Sequence, residues 1–266
     1  MPDNRSRSVA PRQRRRAIKG HVLLDDKTKR RLSRIRLRRV VIVLAAVGVV
    51  VGAVALYRSP LLRVQDVQVV GAKNVEAAEV QALAGLDGRT MLDLPLDRVE
   101  ERIGALPMVK SVETERRWPD GVRITVSERA PWGTWRIGKA SYVIDTEGVV
   151  LPEGIKAPKG APLIEDHGAP ARLVPGDRVD VDAVAVARSL LKSVPKSLGL
   201  NVAALEYTPE GGISLLTDSG YSVVMGDSQN LDYKLAVWQA VENDLGREAM
   251  TGHVLDLRFE NRPSFQ

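Results

Sequence analysis

From Val40 to Tyr57 the chain carries eighteen consecutive residues, all Val, Ile, Leu, Ala or Gly except the terminal Tyr, and no charge. At 1.5 Å per residue a helix over this stretch reaches about 27 Å, close to the hydrocarbon thickness of a bilayer. The core helix of a soluble protein normally keeps a polar stripe, and this run has none. The pattern therefore predicts a transmembrane helix at 40–57. A cleaved export signal is the competing reading, since Ala53-Val54-Ala55 has the small-x-small form and Arg38-Arg39 precedes the apolar run. The length of the run and the 39 residues ahead of it favour a permanent anchor.

Charge divides the chain at the same place. Residues 1–39 hold 15 Lys or Arg against Asp3, Asp25 and Asp26, a net of +12, whereas residues 40–266 hold 24 basic and 30 acidic side chains, a net of −6. Basic flanks stay in the cytoplasm, so the amino terminus is expected inside and the remainder exported. Residues 1–39 show no sustained apolar period and read as a disordered cytoplasmic arm able to adhere to anionic membrane lipid. The chain has no cysteine, which excludes disulfides, thiolate metal sites and a cysteine nucleophile. With 4 Trp, 5 Tyr and 2 Phe the core must be aliphatic, and a stacking platform for nucleic acid is not expected.

After the span, Val64 to Val70 has strand character and ends at Gly71. Asn74 is placed to start a helix through Val80 and Leu83, and a second helix is expected from about Pro95, with Leu96, Val99 and Ile103 on one face. A strand at Val109 to Arg117, a turn at Trp118-Pro119-Asp120-Gly121 and a strand alternating Val122, Ile124 and Val126 with polar residues complete a β-α-α-β-β order. That order predicts two helices on one face of a three-stranded sheet.

These residues resemble a known pattern. Gly71, Asn74, Val75, Glu79, Val80, Leu106, Pro107, Val109, Arg116 to Pro119, Val122, Ile124, Val126, Glu128, Arg129, Pro131 and Trp135 are similar to the POTRA domain of the bacterial FtsQ/DivIB cell-division family. Farther on, Tyr142 to Val150 looks like that family's Y-x-x-D-x-x-G-x-V hairpin, and Val254 to Phe259 is similar to its terminal D-L-R-aromatic strand. The resemblance covers about residues 62 to 262. With the arm and span read above, this gives an α+β chain: basic arm 1–39, transmembrane helix 40–57, then, as the resemblance implies, a POTRA-like domain 61–131 and a second mixed α+β domain on an antiparallel-rich sheet at 132–262, with a tail at 263–266.

Within the second domain, a helix is expected at Val181 to Ser193, stopped by Pro195 and Gly199. A meander should follow at Val202 to Tyr207, Ile213 to Thr217 and Tyr221 to Met225. A helix with Leu231, Leu235, Trp238, Val241 and Leu245 on its apolar stripe and a last strand at His253 to Phe259 close the domain.

Signals for chemistry are weak. Gly133 to Ala140 falls one residue short of a phosphate-binding loop, because Ala140 stands where Ser or Thr must hold magnesium, and Trp135 and Ile137 suit a strand. His21, His167 and His253 lack metal-ligand spacing. Glu100 with Glu101, and Glu113 with Glu115, read as wet surface. No cofactor is expected, and the chain is expected not to be an enzyme.

What remains is partner binding at a sheet edge. Asp256, Leu257, Arg258, Phe259, Asn261, Arg262 and Ser264 are the expected contact residues, with Arg258 pairing an acidic group of the incoming chain and Phe259 or Phe265 filling an apolar pocket. Arg258→Glu is expected to fold, and the fallback site is the Val122 to Ser127 strand. The resemblance implies a scaffold of the division septum. Its partners would be single-span proteins of the FtsB/DivIC and FtsL type, and through them the septal peptidoglycan synthase. A POTRA-bearing translocation accessory, a membrane-anchored cell-wall enzyme and a nucleic-acid-binding anchor are the alternatives.

Overall fold

A computed structural model describes residues 26–169, 172–259 and 263–266, with the backbone alone for 26–36. It divides into two compact units, residues 1–58 and Ser59–Gln266.

In the first unit, helix α1 spans Asp26–Tyr57, and its stretch Leu37–Tyr57 is long and apolar enough to cross a membrane. The helix starts well before Val40, so the arm expected to lack structure contributes 26–39 to it. Lys, Arg and Leu are good helix formers, and a span already helical spares its flank the cost of nucleation. Residues 1–25 lie outside the described residues.

The second unit opens with strand β1 (Asp66–Val70), helices α2 (Ala77–Ala84) and α3 (Leu96–Gly104), and strands β2 (Val109–Arg117) and β3 (Gly121–Glu128). The β-α-α-β-β order is as expected, and the sheet order is β1-β3-β2, with β1 parallel and β2 antiparallel to β3. Val80, Val99, Ile103, Val122, Ile124 and Val126 are buried in one core.

Asn74 does not cap α2, which starts three residues later behind Glu76. The Glu128 carboxylate accepts hydrogen bonds from the backbone N–H groups of Lys73, Asn74 and Val75 at 2.6 to 3.1 Å, and from the Asn74 side chain at 2.7 Å. Gly71 at φ +90° allows this loop to close, since a Cβ there would lie 2.2 Å from the Val126 carbonyl oxygen.

Next come β4 (Gly133–Ile137), β5 (Ala140–Ile144), β6 (Leu163–Asp166), α4 (Val181–Ser197), β7 (Val202–Thr208), β8 (Gly212–Thr217) and β9 (Ser222–Gly226). They are followed by α5 (Leu231–Leu245), the one-turn α6 (Arg247–Met250), β10 (Val254–Asp256) and β11 (Ser264–Phe265). The sheet runs β11-β10-β9-β8-β7-β6-β4-β5. It is mixed: β4–β5, β7–β8, β8–β9 and β10–β11 pair antiparallel, and β4–β6, β6–β7 and β9–β10 pair parallel. The near-miss phosphate loop is the β4–β5 hairpin.

Two helix expectations are corrected. Helix α4 passes through Pro195, because one backbone bond lost in the last turn is a small deficit and Leu198 N–H still closes onto Val194. On α5 the buried row is Lys234, Trp238 and Glu242, while Leu245 is exposed. Lys234 Nζ donates to the Met225 and Asp227 carbonyls and to Asp227 Oδ1 at 2.9 to 3.0 Å, and Glu242 accepts from Arg247, so both charges are compensated.

The Tyr142 to Val150 hairpin straddles the two cores. Ile144 and Val150 pack in the eight-stranded sheet's core, and Leu151 packs in the other. Buried Asp145 accepts from the N–H groups of Glu147 and Val149 at 2.8 and 2.9 Å and from Arg129 Nη1 at 2.6 Å.

Candidate partner-binding edge

The carboxyl-terminal strand forms beside β9. Val254, Leu255 and Asp256 register in parallel with Ser222, Val223 and Val224. Leu255 and Leu257 point into the core, and Leu257 N–H donates to the Val224 carbonyl at 2.9 Å. The strand is three residues long, not the seven expected for His253 to Phe259, and it is not the last. The chain returns as β11, which pairs antiparallel with β10 through Leu255–Phe265 and Asp256–Ser264. Val254 and Gln266 exchange N–H···O=C bonds at 2.8 and 3.0 Å. The outer edge at this end of the sheet is therefore β11.

Five of the seven expected contact residues have a definite place. Leu257 is core. Asp256 and Arg258 pair with each other, with Arg258 Nε 3.0 and 3.1 Å from the two carboxylate oxygens and Nη2 2.5 Å from Oδ2. The Arg258 backbone N–H also donates to Asp256 Oδ1 at 3.0 Å. The guanidinium hydrogen bonds hold the Asp256 carboxyl below its ordinary range against the opposing effect of burial, and the same bonds raise Arg258. Arg258 thus already has an ion-pair partner within the chain, and its side chain stays 36% exposed. Phe259 is 62% exposed, with the Arg258 guanidinium 5.5 Å from its ring centroid. Ser264 sits in β11, and Phe265 beside it is 40% exposed and stacked on His253 at 4.9 Å. Asn261 and Arg262 lie outside the described residues.

Glycine shapes the ground beneath Arg258. Gly226 has φ +76°, and a Cβ there would meet Arg258 Cγ at 3.0 Å. Gly212 has φ +66° and would meet the Gly226 backbone at 2.4 Å. Beside them opens a cleft of about 340 Å³ lined by Asp180, Asp182, Glu210, Asp227, Arg258 and Phe259. Three of its carboxylates hold structure together. Asp180 caps α4 through Ala183 N–H and accepts from Tyr207, Asp182 accepts from Ser228 N–H, and Asp227 accepts from Lys234. Burial first, and then the hydrogen bond to Asp180, push the Tyr207 hydroxyl up to about 12. Among the described residues no group of three His, Cys, Asp or Glu side chains is placed to hold a metal ion.

The fallback strand is corrected too: β3 lies between β1 and β2 and has no free edge.

Two family models divide the part that follows the apolar helix. One described as "POTRA domain, FtsQ-type" matches residues 62–129, and one described as "Cell division protein FtsQ/DivIB, C-terminal" matches 133–258. The chain belongs to the FtsQ/DivIB family of cell-division proteins. It is similar to the "Cell division protein FtsQ" of Chloroflexus aurantiacus, at 30% identity over 89% of this chain and 87% of that one. It is also similar to that of Streptomyces griseus, at 31% identity over 69% of this chain and 88% of the relative. A role in division and an anchor in the membrane at the septum follow from FtsQ/DivIB membership and the apolar helix. The second FtsQ/DivIB match stops at Arg258, so Phe259 and β11 lie beyond it.

Proposed function

We propose that this chain is a non-enzymatic scaffold of the division complex that binds single-span partners by strand addition at the β10–β11 edge. The observation that carries this reading is the way the sheet ends. Strand β11 is two residues long and outermost in the sheet, and around it Val254, Phe259 and Phe265 leave apolar surface exposed. An exposed sheet edge with apolar side chains beside it accepts an incoming strand, the backbone giving affinity and alternate side chains giving specificity. Asp256, Leu257 and Arg258 build the platform, and Phe259, Ser264, Phe265 and the stretch holding Asn261 and Arg262 meet the partner.

The partners in this reading are of the FtsB/DivIC and FtsL type, with the septal peptidoglycan synthase reached through them. The arm is cytoplasmic and touches anionic lipid, and the two folded domains, 61–131 and 132–262, are extracytoplasmic. The charge step of +12 to −6 across the span supports that orientation. The carboxylates around the cleft, engaged as caps and ion-pair partners, support a binding role over acid–base chemistry.

The test is capture of division proteins by the full chain from detergent extract. Phe259→Asp should fold and lose most of the capture seen with the unmodified chain, since loss of an aromatic anchor typically costs about 2 kcal/mol or more, some thirtyfold in affinity. Unchanged capture by a folded Phe259→Asp chain would move the site elsewhere.

A further inference from the structure

Three segments of the first domain end on one surface. Val64 N–H donates to the Arg89 carbonyl at 2.8 Å, Met91 N–H to the Leu62 carbonyl at 2.7 Å, and Arg63 bridges Thr90 in antiparallel register. Leu61, in the 3-10 turn Pro60–Leu62, and Leu92 are the chain neighbours of the hydrogen-bonded Leu62 and Met91. On the other side, Gln65 and Asp66 both donate their N–H to the Asp120 carbonyl, and Asp66 pairs with Gly121. These contacts bring the β2–β3 turn, with Trp118, to the same end. Leu61, Leu92 and Trp118 are 71%, 50% and 58% exposed. Among the described residues of 59–131, the next most exposed large apolar side chain is Val70, at 41% and at the opposite end of β1.

Polar groups rim the trio. Arg63 donates to the Gly88 carbonyl, Arg116 to the Leu94 carbonyl, and Arg117 pairs with Glu115. Arg63, Arg89, Arg116 and Arg117 are matched in number by Asp66, Asp93, Glu115 and Asp120. Attraction to anionic headgroups is therefore not the driving force; apolar burial is.

The covalent chain limits how far Leu61 can stand from the apolar span. Leu61 is four residues beyond Tyr57, the last residue of the apolar span, so its Cα lies within about 15 Å of that residue in any conformation. The headgroup layer on each face of a bilayer is itself about 5–7 Å thick. Trp and Leu with Arg around them match the side-chain set that settles at a lipid interface. Because the surface is tethered, its binding is intramolecular, and a weak intrinsic affinity suffices.

We propose that Leu61, Leu92 and Trp118 form a lipid-contacting surface on which the first domain rests in the interfacial layer of the bilayer that α1 crosses. The absence of native cysteine makes the test clean. The full chain is reconstituted in phosphatidylcholine vesicles as four single-cysteine variants, Leu61→Cys, Leu92→Cys, Trp118→Cys and Val70→Cys, each carrying an environment-sensitive fluorophore. Labels at 61, 92 and 118 should be blue-shifted and quenched by lipid spin-labelled high on the acyl chain, and the label at 70 should behave as in water. Adding phosphatidylglycerol should leave that difference in place.

Aqueous behaviour at all four positions would overturn the proposal. So would blue-shifted labels at 61, 92 and 118 that lipid spin labels fail to quench, because a protein neighbour, such as a second copy, would then cover the surface. Quenching that appears only with phosphatidylglycerol would overturn the apolar account.

Discussion

Arg258 illustrates how a residue can be recognised from sequence while its contacts within the chain are not. The Asp256-Leu257-Arg258-Phe259 run is legible as a terminal strand motif, and the i, i+2 spacing of Asp256 and Arg258 places both on one side of an extended chain. Their mutual pairing was therefore implicit in the spacing, but nothing local distinguishes an internal ion pair from an Arg awaiting a partner. The structure makes Arg258→Glu a poor probe of binding, since it sets two carboxylates together where the Asp256 pair now stands. We expect Arg258→Glu to lower stability by about 1 kcal/mol or more. Phe259→Ala, at an exposed position, should leave it within about 0.5 kcal/mol. Thermal unfolding of the two variants beside the unmodified chain checks both, and equal midpoints for Arg258→Glu and the unmodified chain would show the pair to be inert. Asn74 gives the same lesson. It sits where a helix cap is expected, but Glu128, 54 positions away, competes successfully for its N–H and its amide.

Among elements, legibility follows length and period. The alternation in β3 and the apolar face of α3 were readable because several residues repeat the same signal. Strand β6, with four residues, and β11, with two behind Pro263, are too short to show alternation, and their pairing partners are remote in sequence. On α5 the apolar stripe packs on the core through Leu231, Leu235, Trp238 and Val241, but Lys234 and Glu242 are buried beside it by virtue of acceptors and donors supplied by Asp227 and Arg247, and Leu245 is exposed. Missing β11 mattered most, since it displaced the edge from β10. Removal of residues 263–266 deletes Ser264 and Phe265, bares β10 and should reduce partner capture markedly, while the cores, which contain none of these residues, keep their unfolding cooperative. Stronger capture by the shortened chain would mean that β11 covers the site instead of forming it.

Over the whole of Ser59–Gln266, two cores are joined by the Tyr142 to Val150 hairpin and by the ion pairs of Arg129 with Asp145 and Glu147 and of Lys110 with Glu147. Hydrogen bonds from Lys110 and then Arg129 hold the exposed Glu147 carboxyl at about 2. Asp256, Asp218, Asp227 and Glu128 are lowered as well. In Asp256, Asp218 and Asp227 side-chain hydrogen bonds are the leading cause. In Glu128 burial acts upward and is outweighed by the N–H groups of Val75, Lys73 and Asn74 and the Asn74 side chain. A carboxyl whose folded pKa is depressed contributes stability that is fully present above its unfolded value of about 4 and is lost as pH falls through the folded value. The thermal midpoint of the full chain in detergent should therefore fall steadily as pH drops from about 5 towards 2. A midpoint unchanged across that interval would contradict the pairing described.

The overall layout of apolar span, POTRA-like domain and second sheet was legible because each rests on long-range composition or repeated periodicity. The site was legible as a region only, since its edge depends on which strand ends up outermost. Hydrogen exchange of the full chain, free and bound to its captured division partner, tests that edge most directly. Binding by strand addition predicts new protection of the amides at 254–259 and 264–266, with the interior of both cores unchanged. Protection confined to the first domain, with the β10–β11 amides exchanging as in the free chain, would contradict it.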